Sequence, residues 1–200
     1  QSYRSAVLSD NPLFYLSFDE ITGPAIVNAG NLGATHNATT FNNPGFGWAG
    51  AISNDPINRA VRLDGVGDYL TVNSAIGAAN FSDASYSIEA WVKKDTAGGP
   101  RDIAALTNAA GSQHGILLET NAAGQTFRYL HRSPLGGGGG ENINPSAQTY
   151  NVDQWHHIAI VNDANAMRFY LDGNLDSVTN TSSAALNVDL TAALGRLSNS

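Results

Sequence analysis

The sequence contains no cysteine, which excludes disulfide staples and any metal site or catalytic nucleophile that depends on a thiol. Charged residues make up 14% of the chain, against about a quarter in typical proteins, and Lys93 and Lys94 are the only lysines. A net charge of −7 with scattered arginines argues against a nucleic-acid partner, because nucleic acid requires a basic stripe. No apolar run approaches the ~18 residues of a membrane span.

Glutamate is also scarce, and this bears on catalysis. A glycoside hydrolase needs two carboxylates that flank the scissile bond. No two of the four glutamates share a predicted strand; they are Glu20, Glu89, Glu119 and Glu141. The five histidines show no HExxH-type spacing, so a zinc site has no support. We therefore predict that the protein is not an enzyme.

The clearest pattern in the chain runs from residue 154 to residue 177. Apolar runs at 157–161 and 167–171 are separated by a polar link at 162–165. The second run alternates apolar and polar residues and ends in Asp172-Gly173, a dipeptide that favours a two-residue hairpin turn. This pattern predicts a meander of antiparallel strands lying on a core.

Similar short runs are spread along the rest of the chain. A helical turn is predicted at 3–9 and strands at 13–18, 60–63, 69–72, 86–93, 103–106, 115–119, 126–132 and 188–194. The segment 21–58 is predicted to be loop with one or two short strands whose positions the pattern does not give, and the glycine-rich segment 133–148 is a predicted loop. Strands at this spacing, without an amphipathic helix of ~10 residues, predict an all-β, two-sheet antiparallel sandwich that forms one domain over residues 1–200.

Four motifs in this order resemble those of laminin-G-like jelly-roll domains of bacterial type, in the concanavalin A-like lectin/glucanase superfamily. They are SAVLSDNPLFYLSFDE at 5–20, VRLDGVGDYL at 61–70, YSIEAWVK at 86–93, and WHHIAIV at 155–161 paired with RFYLDG at 168–173. The resemblance implies a concanavalin A-like jelly roll. Members usually finish with a further strand, and here the sequence ends where that strand would begin. We expect that strand to be missing, to follow in a longer chain, or to come from a neighbouring chain, with self-association through the C-terminal sheet edge.

Carbohydrate recognition requires aromatic platforms and planar polar groups, because a sugar presents apolar C–H faces ringed by hydroxyls. Five of the expected glycan-binding residues line an open, concave sheet, with the glycines at 136–140 at its rim; they are Trp91, Tyr129, His131, Arg132 and Tyr170. The sixth, Trp48, stands in the predicted loop 21–58 and is the aromatic residue that core packing explains least. For Trp91 and Trp155 the alternative is a role as core anchors. His156 and His157 face opposite ways on a strand and so cannot share one metal ion.

Calcium is the cofactor that the resemblance suggests, since superfamily members frequently hold this ion. Calcium binds six to eight oxygen ligands, and acidic loops supply them. Asp19 and Asp68 are the candidate ligands. The alternative is turn chemistry, in which an Asp before a Gly caps a tight turn without a metal.

Taken together, these features predict a non-catalytic extracellular or cell-surface module that binds a glycan or a surface protein, with calcium as a possible aid. An extracellular address is expected from the low lysine content, the many Asn and Gly residues and a first residue other than Met. The alternative function is a structural subunit of a surface layer, filament or adhesin. A glycoside hydrolase is the third.

Calcium binding predicts a higher unfolding temperature in Ca²⁺ than in EGTA. An ion at about 100 times its Kd adds ~2.7 kcal/mol to the free energy of unfolding. The substitutions Asp19→Ala and Asp68→Ala should each abolish the difference. Equal unfolding temperatures in Ca²⁺ and EGTA for the unsubstituted protein would contradict the prediction.

Overall fold

The computed structural model describes residues 2–108, 113–121, 124–136, 141–143, 146–163, 165–180 and 184–197. The chain forms two compact units, Gln1–Ala75 and Ile76–Ser200. The single domain expected over residues 1–200 stays a prediction. No helix in the described ranges has the length and apolar character needed to cross a bilayer.

The first unit combines one short helix with two small antiparallel sheets. Helix α1 (Tyr3–Ser9) confirms the predicted helical turn, and Ser2 caps it by accepting the Ser5 N–H. One sheet has the order β1-β2-β5 and the other pairs β3 with β4. A 3₁₀ turn, Ala34–His36, precedes β2. The strands are β1 (Ala25–Ile26), β2 (Ala38–Phe41), β3 (Gly45–Ala49), β4 (Arg59–Arg62) and β5 (Tyr69–Val72).

The acidic turn between β4 and β5 organises itself through one carboxylate. Oδ1 of Asp64 accepts the backbone N–H groups of Val66, Gly67 and Asp68 at 2.8, 2.9 and 3.1 Å. These hydrogen bonds lower the pKa of Asp64, because they stabilise its charged form. Gly65 has a φ of 73°, which a residue without Cβ adopts freely. The segment 64–68 is therefore a self-capped turn.

The strand predicted at residues 13–18 is wrong. Only an isolated bridge between Leu16 and Asn28 is present there. The Asn28 side chain accepts the Tyr15 N–H at 2.8 Å, so a side chain takes the place of a sheet partner. Phe18 has a φ of 59°, which interrupts the extended conformation. Apolar alternation in this segment was thus a misleading strand signal.

The second unit, Ile76–Ser200, is an antiparallel β-sandwich with the strand order of a jelly roll. A 3₁₀ turn (Ala78–Phe81) precedes its strands. One sheet has the order β13-β12-β11-β6, and the other strands of the unit pair as β14-β7-β8-β9-β10. The strands are β6 (Ser85–Lys93), β7 (Arg101–Asn108), β8 (His114–Thr120), β9 (Phe127–His131), β10 (Glu141–Ile143), β11 (Trp155–Asp163), β12 (Met167–Leu171), β13 (Asn174–Thr179) and β14 (Leu190–Leu194).

These strands confirm the predicted meander and the all-β sandwich. Strands β6 to β9, β11, β12 and β14 coincide with predicted strands, while β10 lies inside a segment that we expected to be a loop. Strand β10 is short and faces Tyr129 and its neighbours on β9 through backbone pairing. The glycines at 137–140 lie outside the described residues.

Alternating burial places the core between the two sheets. Along β11, Ile158 and Ile160 are fully buried while the residues beside them are partly exposed. Ile160 lies opposite Phe169 of β12, and the Phe169 ring contacts that of Phe127 on β9 at a centroid distance of 5.5 Å. Aromatic and branched side chains from both sheets therefore fill the interior.

A buried polar network also joins the two sheets. The Tyr86 hydroxyl of β6 bonds to the Tyr129 hydroxyl and, at 2.8 Å, to Nδ1 of His131, both on β9. Nε2 of His131 donates to the Ala184 carbonyl at 2.8 Å, so Nδ1 is the acceptor for the Tyr86 hydroxyl. Burial raises the pKa of Tyr86 to about 12, which keeps this hydroxyl protonated and able to donate.

One carboxylate links the motif at 155–161 to the motif at 168–173. Asp172 accepts the His156 Nδ1–H at 2.8 Å through Oδ2 and the His157 N–H at 2.9 Å through Oδ1. The Asp172 N–H donates back to the His157 carbonyl at 2.8 Å. Nε2 of His156 accepts the Asn151 N–H at 3.0 Å, so both ring nitrogens of this buried histidine have partners. The Trp-His-His motif and the Asp-Gly motif are thus joined to each other by hydrogen bonds.

Removing this carboxylate should destabilise the fold. In Asp172→Ala, the buried Nδ1–H of His156 loses its acceptor, which costs about 1–3 kcal/mol in the free energy of unfolding. Asp172 has a φ of 50°, so Asp172→Gly is the matched variant that removes the carboxylate without backbone strain. Chemical denaturation should show a loss in both variants. An unchanged midpoint in Asp172→Gly would contradict the assigned role.

Candidate functional site

The outer face of the β13-β12-β11-β6 sheet carries the aromatic and charged side chains that the core does not use. On β6 the residues Ser87, Glu89 and Lys93 are exposed and alternate with partly buried ones. Because adjacent residues of a strand point to opposite faces, Trp91 shares the outer face with Glu89. This face is the candidate site.

Strand register brings five residues of this face together. Ala159 of β11 lies directly between Glu89 of β6 and Tyr170 of β12. In the next row, His157 lies opposite Trp91. We call these five residues the open-face cluster. Ala159 has only a methyl group, so the side chains on either side of it in this row are larger.

Electrostatics within the cluster favour an ionised carboxylate. Oε2 of Glu89 lies 3.5 Å from Nε2 of His157, and the Glu89 side chain is 51% exposed. The hydrogen bond from His157 is the main reason that the pKa of Glu89 is lowered, although burial opposes the shift. Glu89 is therefore a charged hydrogen-bond acceptor at neutral pH.

Trp91 is held in place by its neighbours on this face. Its ring lies 5.1 Å from that of His157, tilted by 52°. Trp91 is half-buried, and its Nε1–H has no hydrogen-bond partner within the described residues. Trp91 is therefore anchored on the outer face, and its role as a glycan platform stays a prediction.

Both apolar and charged side chains border the cluster. Leu175 of β13 lies opposite Tyr170 and is 53% exposed, and Val178 farther along β13 is 42% exposed. Arg168 donates to Asp163 at 2.6 Å, and this bond raises the pKa of Arg168 and lowers that of Asp163. The guanidinium charge is thus matched by a carboxylate beside it.

The structure places only some of the expected glycan-binding residues on this face. Trp91 and Tyr170 lie there together. Glu89 and His157 complete the cluster although neither was a candidate. The alternation of β6 did place Glu89 beside Trp91, but the His157–Trp91 pairing depends on cross-strand register, which the sequence alone does not supply.

Tyr129, His131 and Arg132 do not lie on an open sheet face, so that expectation is wrong. Tyr129 and His131 are fully buried in the polar network between the sheets. Arg132 is 9% exposed, and burial lowers its pKa. The sheet that carries them is buried on both faces, since Leu117 and Leu130 form a buried cluster on the other side. The polar groups of these three residues are therefore buried inside the protein and do not face an open sheet surface.

Trp48 lies in the first unit, on β3, and is 53% exposed. The Arg62 guanidinium lies over its ring, 5.3 Å from the centroid, in a cation–π arrangement. The Nε1 atom of Trp48 occupies the space above Gly45, where a Cβ would come within 2.6 Å. Trp48 is thus an exposed but locally braced side chain.

The two candidate calcium ligands already have protein partners. Asp19 accepts the Arg59 N–H at 3.2 Å and lies 3.4 Å from the Arg4 guanidinium. Asp68 is 8% exposed and accepts the Asp64 N–H at 3.1 Å. Within the described ranges, no group of three or more His, Asp or Glu side chains is arranged to hold a metal ion. Calcium binding stays a prediction.

Solved structures with this fold include domains from a toxin and a hydrolase. The binding domain of botulinum neurotoxin serotype D superposes with a TM-score of 0.64 at 14% identity, over 96% of this chain and 44% of that one. Domain 4 of AbnA, an extracellular arabinanase from Geobacillus stearothermophilus, in complex with arabinotriose, superposes with a TM-score of 0.61 at 18% identity. The match covers 92% of this chain and 83% of that one. A structure of botulinum neurotoxin type C, whose cell entry is described as dependent on interaction with two ganglioside molecules, superposes with a TM-score of 0.61 at 13% identity. The match covers 97% of this chain and 44% of that one. The chain thus spans less than half of the toxin chains.

Sequence comparison gives the family. No curated protein sequence matched the chain. A laminin G family model, described as Concanavalin A-like lectin/glucanases superfamily, matches residues 64–200. The match covers more than half of the chain and includes the whole sandwich of the second unit. The chain therefore belongs to the laminin G family of the concanavalin A-like lectin/glucanases superfamily.

Proposed function

We propose that this protein is a non-catalytic module that binds a neutral glycan on the open-face cluster. The observation that carries the proposal is the cross-strand row in which Ala159 separates Glu89 from Tyr170, with Trp91 and His157 in the neighbouring row. A sugar ring laid over Ala159 contacts an aromatic side chain on one border and a charged acceptor on the other. This combination matches the apolar faces and peripheral hydroxyls of a saccharide.

Charge favours neutral over acidic glycans. Glu89 is ionised at neutral pH because its pKa is lowered, and the chain as a whole carries a net charge of −7. Arg168, a cation on the same face, is engaged by Asp163. A sialylated or uronic glycan would therefore approach a surface of its own sign. Neutral sugars do not meet this repulsion.

The neighbours in fold are consistent with this proposal. One is a domain in complex with arabinotriose and another belongs to a toxin described as ganglioside-dependent. Their low identity supports the fold alone, so the argument for this chain rests on its own residues. We place the module outside the cell or at its surface, as we expected from its composition, and we keep calcium as a cofactor to be tested.

Binding to a surface protein and self-association are the alternatives. Exposed Leu175 and Val178 at the β13 edge give the open face an apolar border that suits a protein partner. Self-association through the C-terminal sheet edge predicts a concentration-dependent mass in sedimentation. The proposed glycan-binding module is instead expected to show the same mass in sedimentation at every protein concentration, and to bind glycan in a saturable way.

The first test replaces Tyr170. A neutral glycan selected from an array is titrated calorimetrically into the protein and into Tyr170→Ala, which should bind about 3- to 10-fold more weakly because one stacking contact is lost. Val178→Ala, an exposed truncation farther along the same face, is the control and should keep the original affinity. Equal affinities for Tyr170→Ala and the unsubstituted protein would contradict the proposed site.

A second test measures the Glu89 carboxyl itself. In His157→Gln the pKa of Glu89, followed by carbon NMR, should rise towards its ordinary value, because the bond that stabilises the carboxylate is weakened. Glu119, whose pKa is raised chiefly by burial, is the internal control, and its pKa should not change.

The sign of the effect also predicts how binding depends on pH. A lowered pKa keeps Glu89 charged to a more acidic pH, so glycan affinity should fall only as the pH drops through that lowered pKa. In His157→Gln the same fall should begin at a higher pH. Unchanged titration of Glu89 in His157→Gln would show that the two side chains are not coupled.

A further inference from the structure

We infer that the first unit holds a second, separate binding site for a neutral oligosaccharide. The site is a cleft of about 560 Å³ lined by residues 21–24, which precede β1, by Thr40 of β2, by Phe46 of β3 and by Asn43 and Pro44 between those two strands. Its volume lies within the ~300–1,000 Å³ typical of small-molecule sites. The cleft precedes residue 64, where the family match begins, so family membership assigns it no role. We call it the corner cleft.

The apolar part of the corner cleft is rigidly placed. Its apolar lining consists of Ile21, Pro24, Pro44 and Phe46. The Phe46 ring lies against Gly23, where a Cβ would come within 2.5 Å of Cζ, so the missing side chain makes room for the ring. The Thr40 N–H donates to the Pro24 carbonyl at 2.8 Å and fixes this wall to β2. An aromatic ring in the wall of a cleft is a group on which the C–H face of a sugar can stack.

The polar part of the cleft has hydrogen-bonding capacity that the protein does not use. Thr22, Thr40 and Asn43 line the cleft. Within the described part of the chain, none of these three side chains makes a hydrogen bond, and Thr40 is only 7% exposed. Two hydroxyls and an amide can both donate and accept, as sugar hydroxyls require of their partners.

The lining of the corner cleft carries no charge, and this indicates the class of ligand that it would bind. No lining residue of the corner cleft is Asp, Glu, Lys or Arg. A charged ligand would lose its hydration without gaining a counter-ion. A purely apolar ligand would cover two hydroxyls and an amide without pairing them. A neutral oligosaccharide of about two or three units suits both the volume and the mixed lining.

The inference goes beyond the proposed function, because the corner cleft and the open-face cluster belong to different units of the chain. Either site can fail while the other binds. The experiment therefore reads both sites at once, by amide NMR of the whole chain.

The probes are arabinotriose, cellotriose and maltotriose as neutral sugars and sialyllactose as the acidic counterpart. We expect at least one neutral trisaccharide to shift the amide signals of residues 21–23 and 40–46 in a saturable way, while sialyllactose does not. Phe46→Ala should weaken that binding by about tenfold or more, because the stacking surface is lost. Tyr170→Ala should leave the cleft signals responsive.

A milder variant guards against misfolding of Phe46→Ala. Thr22→Val removes one exposed hydroxyl at nearly constant volume and should weaken cleft binding about 3- to 10-fold. Its matched control is Thr71→Val on β5, outside the cleft lining, which should bind as the unsubstituted protein does.

Two results would overturn the inference. One is that none of the three neutral sugars shifts the cleft amides at millimolar concentration. The other is that the shifts persist unchanged in both Phe46→Ala and Thr22→Val. Shifts confined to the open-face strands would support the proposed function and overturn the corner cleft, and shifts confined to the cleft would do the reverse.

Discussion

The register between β11 and β12 is the constraint on which the candidate site depends, and the Asp172 carboxylate holds it. This carboxylate accepts from both His156 and His157, at the point where the two strands are joined by their last pairing. A slip of one residue would turn every side chain of a strand to the other face. Ala159 would then no longer separate Glu89 from the aromatic residue across the sheet.

The polar side chains on the two faces of the β13-β12-β11-β6 sheet differ in their partners. On the inner face, Tyr86 and His131 pair their polar atoms within the protein, and burial keeps the Tyr86 hydroxyl protonated. On the outer face, the charged Glu89 remains half exposed beside His157. Polar groups that pair with one another between the sheets fix how the two sheets pack. A charged acceptor on the exposed face remains available to a ligand.

The two proposed sites offer different kinds of surface to a sugar. The open-face cluster is a shallow, charged sheet surface bordered by aromatic side chains, while the corner cleft is an uncharged recess with a fixed Phe46 ring. Both combine an apolar plane with hydrogen-bonding groups at its border.

The sequence by itself determined the strands that carry the candidate site, because period-two alternation and the Asp-Gly turn are local properties of the chain. It placed Glu89 and Trp91 on one face of β6 for the same reason. Only the tertiary structure decided that His131 is buried, that residues 13–18 form no strand, and that His157 lies opposite Trp91. Burial and cross-strand register arise from contacts between distant segments, and no local pattern encodes which of two faces another layer will cover.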